Sequence, residues 1–219
     1  MKRPLSAGTV FVLAVLICAM WQIPAYGAEK TVIELWSEVK APPVSELKGF
    51  RADPKTTALL ILDIEERTTT MTRRPRAVAT VPAIAKLLAR AREKGMPVVF
   101  STTPKARPEE ILDQVAPLRD EPVVSSSVDK FFMTDLEEIL KAKKIESVII
   151  VGTAAEGAVL HTATAAAMRG FSVIVPVDGI SSSDLYAEQY VCWHLLNAPG
   201  SRNRALLTST GMITMGIAD

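Results

Sequence analysis

The chain alternates two kinds of hydrophobic pattern, and this restricts its fold more than any other feature. The run TTALLILD (56–63) is apolar almost throughout and ends in a carboxylate. MPVVFST (96–102), ESVIIVG (146–152) and FSVIVPVDG (171–179) repeat the theme, and RALLTST (204–210) closes it. Short runs this uniformly apolar predict strands buried on both faces. Between them lie segments with helical signals: AVATVPAIAKLLARAREKG (77–95), TDLEEILKAKKI (134–145), GAVLHTATAAAMRG (157–170) and SDLYAEQYVCWHLLNAPG (183–200). The first ends at Lys94-Gly95, the second can be capped by Thr134, and the last is stopped by Pro199-Gly200. Strand alternating with helix predicts an α/β fold with a parallel sheet covered on both faces. In such folds ligands bind at the carboxyl ends of strands, where the strand order reverses. That rule points at Asp63, the region after Ser101, the turn GTAAEG (152–157) and Asp178.

The N-terminus is a separate object. Lys2 and Arg3 precede an apolar run from Val10 to about Met20, and Ala25 and Gly27 stand at −3 and −1 of a cut before Ala28. This is the pattern of a secretory signal peptide over residues 1–27. The competing reading is an uncleaved anchor, for which the run is short of the ~20 residues that span a bilayer. Residues 28–55, with prolines at 42, 43 and 54, read as an extended arm leading into one domain over 56–219. After cleavage the expected location is periplasmic or secreted, with no stable membrane insertion. The net charge of +1 gives no electrostatic case for nucleic acid.

Several residues carry possible chemistry. Asp63, at the end of a buried strand, is expected to have a raised pKa and to serve as general acid or base; a loop-capping aspartate is the alternative. Small residues in GTAAEGA let a backbone approach a ligand, and the helix beyond offers free N–H groups to an oxyanion; plain close packing competes with that reading. Neither phosphate-binding signature, GxGxxG or GxxxxGK[ST], is present. His161 either faces the pocket or is packed or exposed, and His194 reads as structural. Glu65 and Glu66 either line the pocket or lie at the surface. Arg73, Arg74 and Arg76 either grip a carboxylate or belong to a solvated loop. Cys192, alone in the mature chain, reads as a small buried hydrophobe.

Taken together, the LLILD strand, KFFMTDLEEIL, VIIVGTAAEGAVLHTATAAAMRG and VIVPVDG resemble, in order and spacing, the isochorismatase-like family, also called the cysteine hydrolases. The resemblance covers roughly residues 56–213. It implies a three-layer α/β/α domain with a six-stranded, mostly parallel sheet. It also implies self-association, since family members are often dimers or tetramers. Amidase members use an Asp, Lys and Cys triad, with a non-proline cis peptide helping to build the oxyanion hole. Carried over, the Asp falls on Asp63, the cis bond on Thr153–Ala154, and the acidic residue two before the nucleophile on Glu156. Gly157 lies in the same oxyanion turn. The nucleophile falls on Ala158, which has no heteroatom and cannot attack.

The family lysine aligns near Ser125, so Lys130 either reaches Asp63 through a loop of altered shape or is a solvated or capping lysine. A Lys130–Asp63 pair would lower the Asp pKa and partly undo the effect of burial. True isochorismatases lack the Cys and hydrolyse a vinyl ether with the Asp as general acid. Where the family's metal-bearing members carry an Asp and His cluster, STTPKARPEEILDQVAPLRD (101–120) has no histidine, so no tight transition-metal site and no cofactor are expected. Together with the signal-peptide pattern, the resemblance implies an exported, metal-independent hydrolase of a small molecule, acting through Asp63 and water. A non-catalytic binding protein of the same fold is the alternative, and a partner or oligomer scaffold the third.

Overall fold

The computed structural model describes residues 30–216. The signal-peptide pattern over 1–27 lies outside the described residues. By its internal contacts the chain divides into Met1–Ala41 and Pro42–Asp219. In the first unit the described part is one short helix, α1 (Val32–Leu35), followed by a 3-10 turn, Trp36–Glu38.

The second unit is built on a parallel sheet whose spatial order is β4 (Val123–Ser125), β3 (Val98–Thr102), β2 (Thr57–Leu62), β5 (Ser147–Thr153), β6 (Ser172–Pro176) and β8 (Ala205–Thr208). A two-residue strand, β7 (Ile180–Ser181), adds to the end of β5. The middle strands are buried throughout, which explains their near-continuous apolar sequence. Successive residues of β2 point to opposite faces. Ala58, Leu60 and Leu62 join one core with α3 (Leu136–Ala142), α4 (Leu160–Met168) and α5 (Leu185–Asn197); Leu59 and Ile61 join the other with α2 (Pro75–Glu93). These are the three layers of an α/β/α fold.

From β2 the chain builds outward through β3 and β4, then returns to the other side of β2 with β5 and continues through β6 and β8. The order therefore reverses between β2 and β5, which are paired in register with Leu62 opposite Gly152. Gly152 has φ 133°, and a Cβ there would stand 2.1 Å from the carbonyl oxygen of Leu62. Only glycine allows the two strand ends to approach this closely.

Some local expectations shift. Within the stretch read as an extended arm, β1 (Phe50–Ala52) pairs in parallel with β9 (Ile213–Met215), forming a separate two-stranded sheet. Helix α2 begins at Pro75, whose fixed φ suits a first helical position. Helix α3 is one turn shorter than its pattern: it starts at Leu136, with Thr134 Oγ1 accepting the Leu136 N–H at 3.3 Å. The run after Thr153 enters through a π-helical turn, Ala155–Val159, before α4 begins.

Candidate active site

Asp63 is the first residue beyond β2, at the point where the strand order reverses, and its φ of 54° turns the chain out of the sheet. Its side chain is nearly sealed, at 4% exposure. Oδ1 accepts a hydrogen bond from Ser101 Oγ at 2.7 Å, and Oδ2 lies 2.9 Å from Lys130 Nζ. Thr68 Oγ1 donates to the Asp63 carbonyl at 2.5 Å, which fixes the backbone. Burial raises the Asp63 pKa above its ordinary value and outweighs the opposing charge and hydrogen bond of Lys130 and the bond from Ser101; the nearby charge of Glu65 adds to the rise.

Lys130 is fully buried. Besides Asp63, its ammonium donates to the carbonyl oxygens of Ser127 at 2.6 Å, Ser126 at 2.8 Å and Thr102 at 3.3 Å. Three protons thus face four acceptors, so the group is held in place rather than free to swing. The loop after β4 accounts for its reach. The strand ends at Ser125, and the chain folds back on itself, with Ser126 Oγ donating to the Phe132 carbonyl at 2.9 Å. The Lys130 N–H then donates to Thr162 Oγ1 at 3.1 Å, on α4. Lys130 comes five residues after the position that the family spacing indicates, and the fold-back closes that gap. The reading of Lys130 as solvated or capping does not describe this geometry.

The other wall of the site is the turn after β5. The Thr153–Ala154 peptide bond is cis. Thr153 is buried and its Oγ1 donates to the Ser181 carbonyl at 3.0 Å. Ala154 and Gly157 are half-buried and Glu156 is exposed. The Ala154 carbonyl accepts the N–H groups of Gly157 at 3.1 Å and Val159 at 3.2 Å. The opening N–H groups of a helical turn have no partner inside the turn. Ala158 is buried and presents only a methyl group.

His161, one turn beyond the buried Ala158, is exposed at the start of α4. His194 lies against Tyr190, with Nδ1 3.1 Å from the phenol oxygen. Cys192 is half-buried on α5, and burial pushes its thiol up to about 11, so it is not a thiolate at neutral pH. Asp178 accepts from Thr210 through its backbone N–H and Oγ1, both at 2.7 Å, which makes it a loop tie. Among the described residues no group of three or more His, Cys, Asp and Glu side chains is placed to hold a metal ion.

Three features were hidden in the sequence. Ser101 was legible only as the end of a strand, and its hydroxyl bonds the Asp63 carboxylate. Glu65, for which the surface was one reading, is fully buried and accepts from Thr103 through N–H at 3.1 Å and Oγ1 at 2.7 Å; Glu66 is exposed. The three arginines separate: Arg73 donates to the Arg67 carbonyl at 2.9 Å and Arg76 pairs with Glu188, whereas Arg74 reaches Thr153 Oγ1 at 3.1 Å.

A buried Asp–Lys pair beside a cis-peptide turn, at the switch point of a parallel sheet, defines a class of α/β proteins. The isochorismatase domain model matches residues 57–202, and the chain belongs to the isochorismatase family. It is 32% identical over 118 residues to the secreted isochorismatase effector Isc1 of Verticillium dahliae, covering 49% of this chain and 62% of that protein. The chain thus spans less than two thirds of that relative's length. Among solved structures it is similar to a cysteine hydrolase from Pseudomonas syringae pv. phaseolicola, with TM-score 0.65, 19% identity, and 76% of this chain and 94% of that chain covered. It is also similar to N-carbamoylsarcosine amidase from Thermoplasma acidophilum, with TM-score 0.61, 23% identity, and 71% and 96% covered. At these identities the structural likeness speaks for the fold.

Proposed function

We propose that the protein is an exported, metal-independent hydrolase of a small molecule, in which Asp63 acts as general acid and base toward substrate and water. The observation that carries this reading is the buried Asp63 carboxyl, whose pKa burial raises in spite of the Lys130 ion pair. A carboxyl of raised pKa holds a proton nearer to neutral pH, where a general acid is useful. Protonated Asp63 delivers its proton to the substrate as the scissile bond breaks. Water adds to the electrophilic carbon, and its proton returns to Asp63, so the enzyme ends as it began. The opening N–H groups of the turn after Thr153 are the donors this reading assigns to charge on a substrate oxygen. No covalent enzyme intermediate forms, because Ala158 has no atom to bond with. Family membership and the secreted relative support hydrolysis and export.

The second reading is a binding protein that kept the pocket without turnover, favoured by the methyl group at Ala158. A turnover screen on small amides, esters and vinyl ethers, run beside Asp63→Asn, separates the two. For an enzyme, Asp63→Asn lowers kcat/KM by about 10²–10⁴-fold. The wild-type rate also falls as pH rises through the Asp63 pKa, because the acid form is consumed. Ligand-induced stabilisation of both proteins with no turnover in either would establish the binding reading.

A further inference from the structure

Arg74 is the one member of the Arg73, Arg74 and Arg76 group that is half-buried against the turn after β5. It is half-buried, and its polar contacts are two hydroxyls: Nη1 donates to Thr153 Oγ1 at 3.1 Å and Nε to Ser183 Oγ at 3.4 Å. Among the described residues no carboxylate lies within ion-pairing distance of it. Arg67, Arg76, Arg92, Arg107 and Arg169 each meet a glutamate within 2.5–3.3 Å. The guanidinium has five N–H donors, and these contacts use two. It is held at the cis Thr153–Ala154 junction, and the charges that act on it include Asp63 and Glu156. A desolvated cation with spare donors, beside the acid of the site, lacks a planar anionic partner.

We propose that Arg74 binds a carboxylate group carried by the small molecule that this site takes. The fork of a guanidinium matches a carboxylate through two parallel hydrogen bonds, a match that a lysine cannot reproduce. Thr153 and Ser183 hold the arginine in place, and the remaining N–H groups face the ligand. Glu156, exposed on the same turn, is the internal competitor for the same charge. The inference rests on the reading of Asp63 as the reacting acid of this site, but it is tested by binding rather than by rate.

The test is calorimetric titration of the full chain with benzoate and with its neutral counterpart benzamide, repeated on Arg74→Gln, Arg74→Lys and Asp63→Asn. Wild type and Asp63→Asn should both bind benzoate about ten-fold or more tightly than benzamide. Arg74→Gln should remove that preference, Arg74→Lys should keep a smaller one, and Glu156→Gln should tighten benzoate alone. Failure of wild type to bind benzoate, or equal affinity for the two compounds, overturns the proposal. So does an Arg74→Gln protein that melts at a lower temperature yet keeps the full preference, which would make Arg74 a strap between α2 and β5. A preserved preference in Asp63→Asn, with no turnover in wild type, leaves the carboxylate site standing and removes only the hydrolase reading.

Discussion

The two walls of the site are built in opposite ways. On the β2 side every polar atom of the Asp63 and Lys130 side chains is committed, under cover, to a short hydrogen bond or ion pair. On the β5 side, alanines and a glycine line a turn in which the buried Ala158 presents only a methyl group. A buried charge pair is hard to alter, because removing either partner strands the other in a low-dielectric interior. A turn of small residues can change its chemistry one side chain at a time. The chain thus keeps a buried Asp–Lys pair fully assembled beside a turn that offers no nucleophile, and the proposed use of water rests on that combination.

The largest effect is expected from breaking the charged half. Lys130→Met should cost about 3–5 kcal/mol in chemical unfolding, as for other broken buried pairs. The loss should grow with pH. A carboxyl whose folded pKa is raised contributes its stability fully below the unfolded value of 3.8 and loses it as pH rises through the folded value. Removing the ammonium raises Asp63 further, so the gap between variant and wild type widens from acid toward neutral pH. A gap that narrows instead would mean that Lys130 does not sustain the Asp63 charge.

Filling the blank half is the next test. Ala158→Cys places a thiol at the position on which the family resemblance puts the nucleophile. It should react with iodoacetamide faster than Cys192, whose thiol burial holds near 11. The added atom in a buried position should cost about 1–3 kcal/mol. A thiol at 158 no more reactive than Cys192 would show that the turn does not activate a nucleophile. The smallest effect belongs to His161→Ala, because the imidazole is exposed: stability should move by less than about 0.5 kcal/mol. A marked loss of turnover in that variant would place His161 at the mouth of the site.

What the sequence revealed follows the same division. The middle strands were legible because burial on both faces demands continuous apolar runs, and TALLIL and SVIIVGT show it plainly. The place of Asp63 at a strand end was legible from the apolar run before it, and the strand order puts that end at the switch point between β2 and β5. β4 is three residues long and runs into serines, so periodicity had nothing to detect. β1 and β9 pair across most of the chain, a contact with no local signature. Lys130 was ambiguous because its reach depends on how the loop at 126–130 folds back, and spacing along a sequence does not encode that. Glu65 and Arg74 each sat beside charged neighbours of the same type, and only the packing around them tells the buried residue from the exposed ones.

The close approach at Gly152 bears on how such a protein can acquire new reactions. A side chain at 152 would have to push Leu62 away, and with it Asp63 on one strand and Thr153 on the other. Both walls of the site therefore hang from a hinge pin that admits no variation. A thiol for a methyl group at 158 changes one side chain at a modest cost in stability, whereas any side chain at 152 would displace both walls at once.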